Sequence, residues 1–253
     1  MELTTALAAG AATVSTAFAL FVADRWSATR RRHHLAWAVA LGMFAVASFA
    51  LWAGASLGWD EATFRVFYLF GAVLNVPFLA LGTVYLLAGD RVGDRVGVAL
   101  SLGAAFATGV LVAAPIDYPV PPGELPQGSD VFGAGPRILA AVASTGGALV
   151  ILAGAVWSIA TRGRRGGEPR PGGPTRRQVV AANLCIAAGT LVLSAGGLLN
   201  SVLNEMDAFA VTLVVGISVI FAGFVLTLPP PAELSPAAPA DGPSRPARSG
   251  ARR

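Results

Sequence analysis

Seven stretches of about twenty residues, each nearly free of charge, decide what this chain can become. They fall at about 3–23, 35–56, 66–88, 96–114, 137–160, 179–200 and 208–228. A bilayer core about 30 Å thick is crossed by roughly 20 apolar residues of helix, or by about half as many residues of barrel strand. Runs of this length therefore predict helices, whose backbone groups satisfy one another where no water is present. The expected fold is all-α: a polytopic membrane protein with a seven-transmembrane-helix bundle over 1–228. A Pro/Ala/Arg-rich tail at 229–253 has no apolar face to bury and is expected to be disordered. Only 13% of the residues are charged, about half the share found in soluble domains.

The first run is expected to be an uncleaved span. Its start, MELTT, carries Glu2 and no positive charge, whereas a signal peptide begins with a basic segment. The basic cluster follows the run instead, at Arg25, Arg30, Arg31 and Arg32. Counting onward from an N-terminus outside, the inner segments are 24–34, 89–95, 161–178 and 229–253. These hold 4, 2, 6 and 4 arginines, or 16 of the 18 in the chain. Basic residues stay on the cytoplasmic side, so the N-terminus is placed outside and the C-terminus in the cytoplasm. All five tryptophans and three tyrosines lie near predicted helix ends, where rings with one polar edge favour the headgroup region. Lysine is absent while Ala, Gly and Arg are abundant, a bias similar to that of high-GC bacterial genomes. The plasma (inner) membrane is the expected location.

The third run, FYLFGAVLNVPFLALGTVYLL, carries an amide and a helix breaker at its middle. Pro77 has no N–H and clashes with the carbonyl four residues back, that of Val73. A kink or local widening follows. Asn75 shares a helical face with Gly71 and Gly82, a pattern for close helix contact with a hydrogen bond across it, worth roughly 0.6 kcal/mol on average. Read this way, Asn75 and Pro77 are packing devices; the functional alternative makes them a hinge or part of a pocket. In the sixth run Asn183, Thr190 and Ser194 follow helical spacing, so a cavity, if present, would lie between the third and sixth helices. Glycines seven apart recur at Gly147 and Gly154, Gly189 and Gly196, and Gly216 and Gly223. Small residues let helix backbones approach closely.

What is missing narrows chemistry. No carboxylate sits in the middle of a run, which argues against a proton relay, and without lysine there is neither a retinal Schiff base nor a Walker loop. His33 and His34 stand beside three arginines, a poor setting for a metal, and a lone Cys185 forms no internal disulfide. Asp90 and Asp94 suggest a divalent site near a lipid diphosphate, but each precedes an arginine and reads first as a charge-balanced turn. Asp60 and Glu61 occupy an outer loop where some membrane glycosyltransferases carry catalytic acids. The loop at 115–136 is positioned to cap the outer end. No metal, cofactor or catalytic residue is expected, and no nucleic-acid partner.

GWDEATFRVFYLFGAVLNVPFLALGTVYLL resembles multi-pass membrane proteins of high-GC bacteria that carry no assigned activity. The resemblance implies a helical bundle and brings no mechanism. The seven-span plan also matches SWEET and PQ-loop sugar transporters, but their Pro-Gln signature is missing here. The leading expectation is a non-enzymatic sensing, scaffolding or accessory membrane protein. Its expected partners are the lipid bilayer, anionic headgroups at Arg30, Arg31, Arg32, Arg164, Arg165, Arg176 and Arg177, and other membrane proteins. A facilitator of a small neutral solute using Asn75, Pro77, Asn183, Thr190 and Ser194 is the alternative, and an enzyme acting on a lipid-linked substrate comes third.

Overall fold

The computed structural model describes residues 2–116, 120, 126–164, 176–203 and 206–226. Among them the backbone is helical nearly throughout, with no strand beyond a single bridge between Ile116 and Phe132. Helices α1 (Glu2–Thr29) and α2 (Arg32–Leu57) form an antiparallel hairpin. The third segment is composite: α3 (Glu61–Phe67) runs into a π-helix (Tyr68–Leu74), which continues as α4 (Asn75–Ala88). Then come α5 (Asp90–Ala113), the short α6 (Gly128–Val131), α7 (Ala134–Arg164), α8 (Arg176–Leu203) and α9 (Met206–Val225).

Six of these segments are long and apolar enough to cross a membrane: Leu3–Thr29, Arg32–Leu57, Glu61–Ala88, Asp90–Ala113, Ala134–Ser158 and Ala208–Val225. The described apolar part of α8, Val180–Gly196, is shorter. The tail at 229–253 lies outside the described residues.

Neighbouring helices pack into a closed ring. α1 lies on α2, α2 on the third segment, the third segment on α7, α7 on α8, α8 on α9, and α9 back on α1. α5 stands outside, against α4 and more lightly against α7. Apolar side chains pack at the helix contacts. Phe18 and Val22 of α1 meet Leu41 and Phe44 of α2 and Ile217, Ile220 and Phe224 of α9. A second cluster joins Ala8, Leu51, Trp59, Phe64, Leu111, Val131 and Phe132 at the opposite end, where Arg65 lies over the Phe132 ring.

Aromatic rings settle on glycines near the helix ends. A Cβ on Gly54, Gly82, Gly93 or Gly128 would collide with Trp59, Trp37, Tyr85 or Tyr68 respectively. This corrects the headgroup-belt expectation for Trp59, which is buried, while Trp157 is well exposed. The ring of Trp59 sits where a side chain at 54 would have been.

Candidate functional site

Pro77 shapes the third span by a different route from the simple one. The segment ahead of it winds as a π-helix, whose bonds reach five residues instead of four. The expected local widening is therefore present, but the carbonyl facing the missing N–H moves. Five residues before Pro77 stands Ala72, not Val73. The Ser144 hydroxyl of α7 donates to that Ala72 carbonyl, as membrane helices do when a neighbour's hydroxyl re-satisfies a freed backbone group. Three positions on, α7 has room to come this close because Gly147 lacks a Cβ. One built there would stand 2.9 Å from the carbonyl carbon and oxygen of Val76. Gly154 continues the contact against Thr83 and Leu87.

Asn75 sits on the opposite side of the same bend. Its neighbours on the predicted face do point at one helix: Gly71 meets Ala47 of α2, and Gly82 lies under Trp37 of α2. Asn75 itself is buried, at 8% exposure. The hydrogen bond expected across this face is not formed: among the described residues the Asn75 side chain has no partner. An unpaired buried amide costs about 1–3 kcal/mol, so this residue is a local weakness and not the glue the sequence suggested.

The polar residues of the sixth run go elsewhere. Asn183 donates from Nδ2 to the Ser158 hydroxyl of α7 at 3.3 Å. Thr190 donates to the Ile186 carbonyl at 2.8 Å and Ser194 to the Thr190 carbonyl at 2.9 Å, both within α8. α7 stands between the third segment and α8 in the ring, so the five candidates do not converge. All six seven-spaced glycines, in contrast, sit at contacts. Gly189 faces the Gly216 carbonyl, Gly196 faces Thr212, and Gly223 faces Cys185 and the Ala182 carbonyl.

One cavity of about 320 Å³ opens beside Pro77, between the third segment, α5 and α7. Val73, Pro77, Leu100, Ala104, Ala143 and Gly146 are among its walls, and every residue lining it is apolar. Of the five candidates only Pro77 borders it.

Charged side chains cluster at the two ends. Arg32 of α2 pairs with Asp94 of α5, and the Tyr85 hydroxyl donates to the same carboxylate at 3.0 Å. Asp94 is thereby engaged in tying three helices together. Arg30, Arg31 and Arg177 are exposed; Arg30 lies over the Trp26 ring at 5.1 Å. Its φ of 53° is a left-handed value in which glycine is the usual residue. Arg164 ends α7 and Arg176 begins α8, though their side chains, and Arg165 altogether, lie outside the described set. His33 packs edge-on against both His34 and Trp37. No group of three or more metal-ligating side chains occurs among the described residues.

At the far end the acids have structural work. Asp60 caps α3, accepting from the Thr63 backbone N–H at 2.8 Å, and that bond holds its carboxyl below the ordinary range. Glu61 accepts from Arg65 at 2.6 Å. Arg65 also donates to the carbonyls of Leu111, Val112 and Ala114, where a cation complements the negative end of α5. This clamp was missed from sequence; the i,i+4 spacing of Glu61 and Arg65 was its only visible signal. Compared with protein-family models, curated proteins and solved structures, the chain matches none.

Proposed function

We propose that this chain is a seven-span protein of a bacterial plasma membrane, N-terminus outside and C-terminus cytoplasmic. It acts without chemistry of its own, as a sensing, scaffolding or accessory component among other membrane proteins. The observation carrying this reading is the separation of the intramembrane polar residues by α7. Asn183 is tied to Ser158, Thr190 and Ser194 bond back to their own helix, and the cavity beside Pro77 offers a solute no polar side chain. Where α1, α2 and α9 meet, apolar side chains pack against one another.

The span that brings the count to seven in this proposal is α8, whose helix runs Arg176–Leu203. Exposed Arg30, Arg31 and Arg177 would meet anionic headgroups, each contributing about 1 kcal/mol near the surface; Arg32 is already paired. Two experiments test the reading. Proteoliposomes holding the full chain should recover from a glycerol, urea or xylose osmotic step no faster than empty ones. Recovery several-fold faster would establish a facilitator instead. A reporter fused after residue 228 should be active only in the cytoplasm while an N-terminal tag labels from outside; both ends on one side would leave six spans.

A further inference from the structure

The cleft beside Pro77 has a shape, a lining and a depth that together select one kind of occupant. Its α5 wall runs from Val96 to Ala107, which at 1.5 Å per residue is about 16 Å of helix. That is roughly half of a ~30 Å hydrocarbon core. A volume of about 320 Å³ spread over that length leaves a mean cross-section of roughly 20 Å², a width of about 5 Å, whereas a helix with its side chains is about 10–12 Å across. The cleft is too narrow for a helix and has the width of a single hydrocarbon chain. It faces outward, because the lining residue Val142 is 67% exposed and Leu102 and Phe106 beside it are similarly open. That opening lies within the depth of two spans, Asp90–Ala113 and Ala134–Ser158.

Two glycines add an independent observation. Gly103 and Gly146 line the cleft, and a Cβ at either would meet nothing within 4 Å. The glycines at 147, 154, 189, 196, 216 and 223 all carry a packing reason in a neighbouring helix; these two carry none among the described residues. Glycine weakens a helix interior relative to alanine, and here the absent side chains hold the cleft open. Gly42, Gly89, Gly109 and Gly135 are also unobstructed but do not border it.

We propose that this cleft is a binding site for one acyl chain of a membrane phospholipid, seated against Pro77 between α4, α5 and α7. The proposal rests on the chain being embedded in a membrane, but on neither its orientation nor the number of its spans. It therefore survives if the topology above is reversed.

The test uses the full chain reconstituted in phosphatidylglycerol–phosphatidylethanolamine vesicles containing a phosphatidylglycerol with a photoactivatable diazirine in one acyl chain. After illumination, adducts are mapped by mass spectrometry. Leu100, Ala104, Ala143 and Gly146 should be labelled several-fold more than Val98, Leu102 and Phe106, which are well exposed on α5 but do not line the cleft. Gly146→Leu, which fills open space, should remove that excess while melting at or above the parent temperature. Gly103→Leu repeats the test from the opposite wall should the first variant fail to fold. Even labelling of the two faces, or an excess unchanged in a folded variant, would overturn the proposal. So would an excess seen with a polyprenyl diazirine probe and not with the phospholipid, or cleft residues crosslinked to a second polypeptide.

Discussion

Two helix contacts in this molecule use the same small residue and end differently. Between α8 and α9 glycines stand on both helices, and backbone meets backbone: a Cβ on Gly189 would lie 2.7 Å from the Gly216 carbonyl oxygen, and one on Gly216 would lie 3.1 Å from the Gly189 oxygen. That contact is closed. Between α7 and the third segment glycines stand only on α7, and the facing helix bends through a π-helix and Pro77. There the backbones touch at Gly147 and part beside it, where the 320 Å³ cleft begins. Glycine on two straight helices makes a seam, whereas glycine against a bent helix makes a seam with a hollow along its edge.

The strongest way to break this comparison is to load the closed seam. Gly189→Val should destabilise the protein by about 3 kcal/mol, since neither backbone can yield; unfolding in mixed detergent micelles reads the change. A loss under 1 kcal/mol would mean that α8 and α9 are not locked together.

A smaller effect is expected from removing the hydroxyl that serves the bend. Ser144→Ala leaves the Ala72 carbonyl without its donor and should cost about 1–2 kcal/mol. In a Pro77→Ala background the restored N–H gives a nearby carbonyl a helical partner, so the same substitution should then cost about 1 kcal/mol less. Additivity of the two changes would separate Ser144 from the proline and undo the account of the bend.

The smallest effect has the sharpest sign. Gly146→Ala should stabilise by about 0.5–1 kcal/mol, because its side chain enters open space and the helix gains. Gly147→Ala, one residue on, should destabilise, its methyl pressing the Val76 backbone. Melting temperatures of the pair moving in the same direction would place the edge of the cleft elsewhere.

Much of this contrast could be read from residues. Apolar runs located the helices, and all six seven-spaced glycines marked contacts because crowding in a helix pair depends on spacing alone. The proline announced a disturbance in the third run. Its form did not follow, since α and π windings place different carbonyls opposite Pro77, and the choice depends on Ser144, sixty-seven residues away. Asn75 misled for a related reason: its spacing showed which helix its face meets, while pairing depends on the placement of a partner group, which spacing does not give. Asp60, Glu61 and Asp94 looked like chemistry in sequence because their partners, the Thr63 N–H, Arg65 and Arg32, are revealed only by folding.

The π-helix at Tyr68–Leu74 also leaves the third span with slack. Each of its turns takes up one residue more than an α-turn closed by four-residue bonds. The chain from Glu61 to Ala88 therefore holds more sequence than a straight helix of the same height requires. A single-residue deletion between 68 and 74 can be absorbed by rewinding to α, while the same deletion within α2 or α9 would turn every later side chain by about 100°. The third span is thus where this fold can lose a residue and keep its faces aligned.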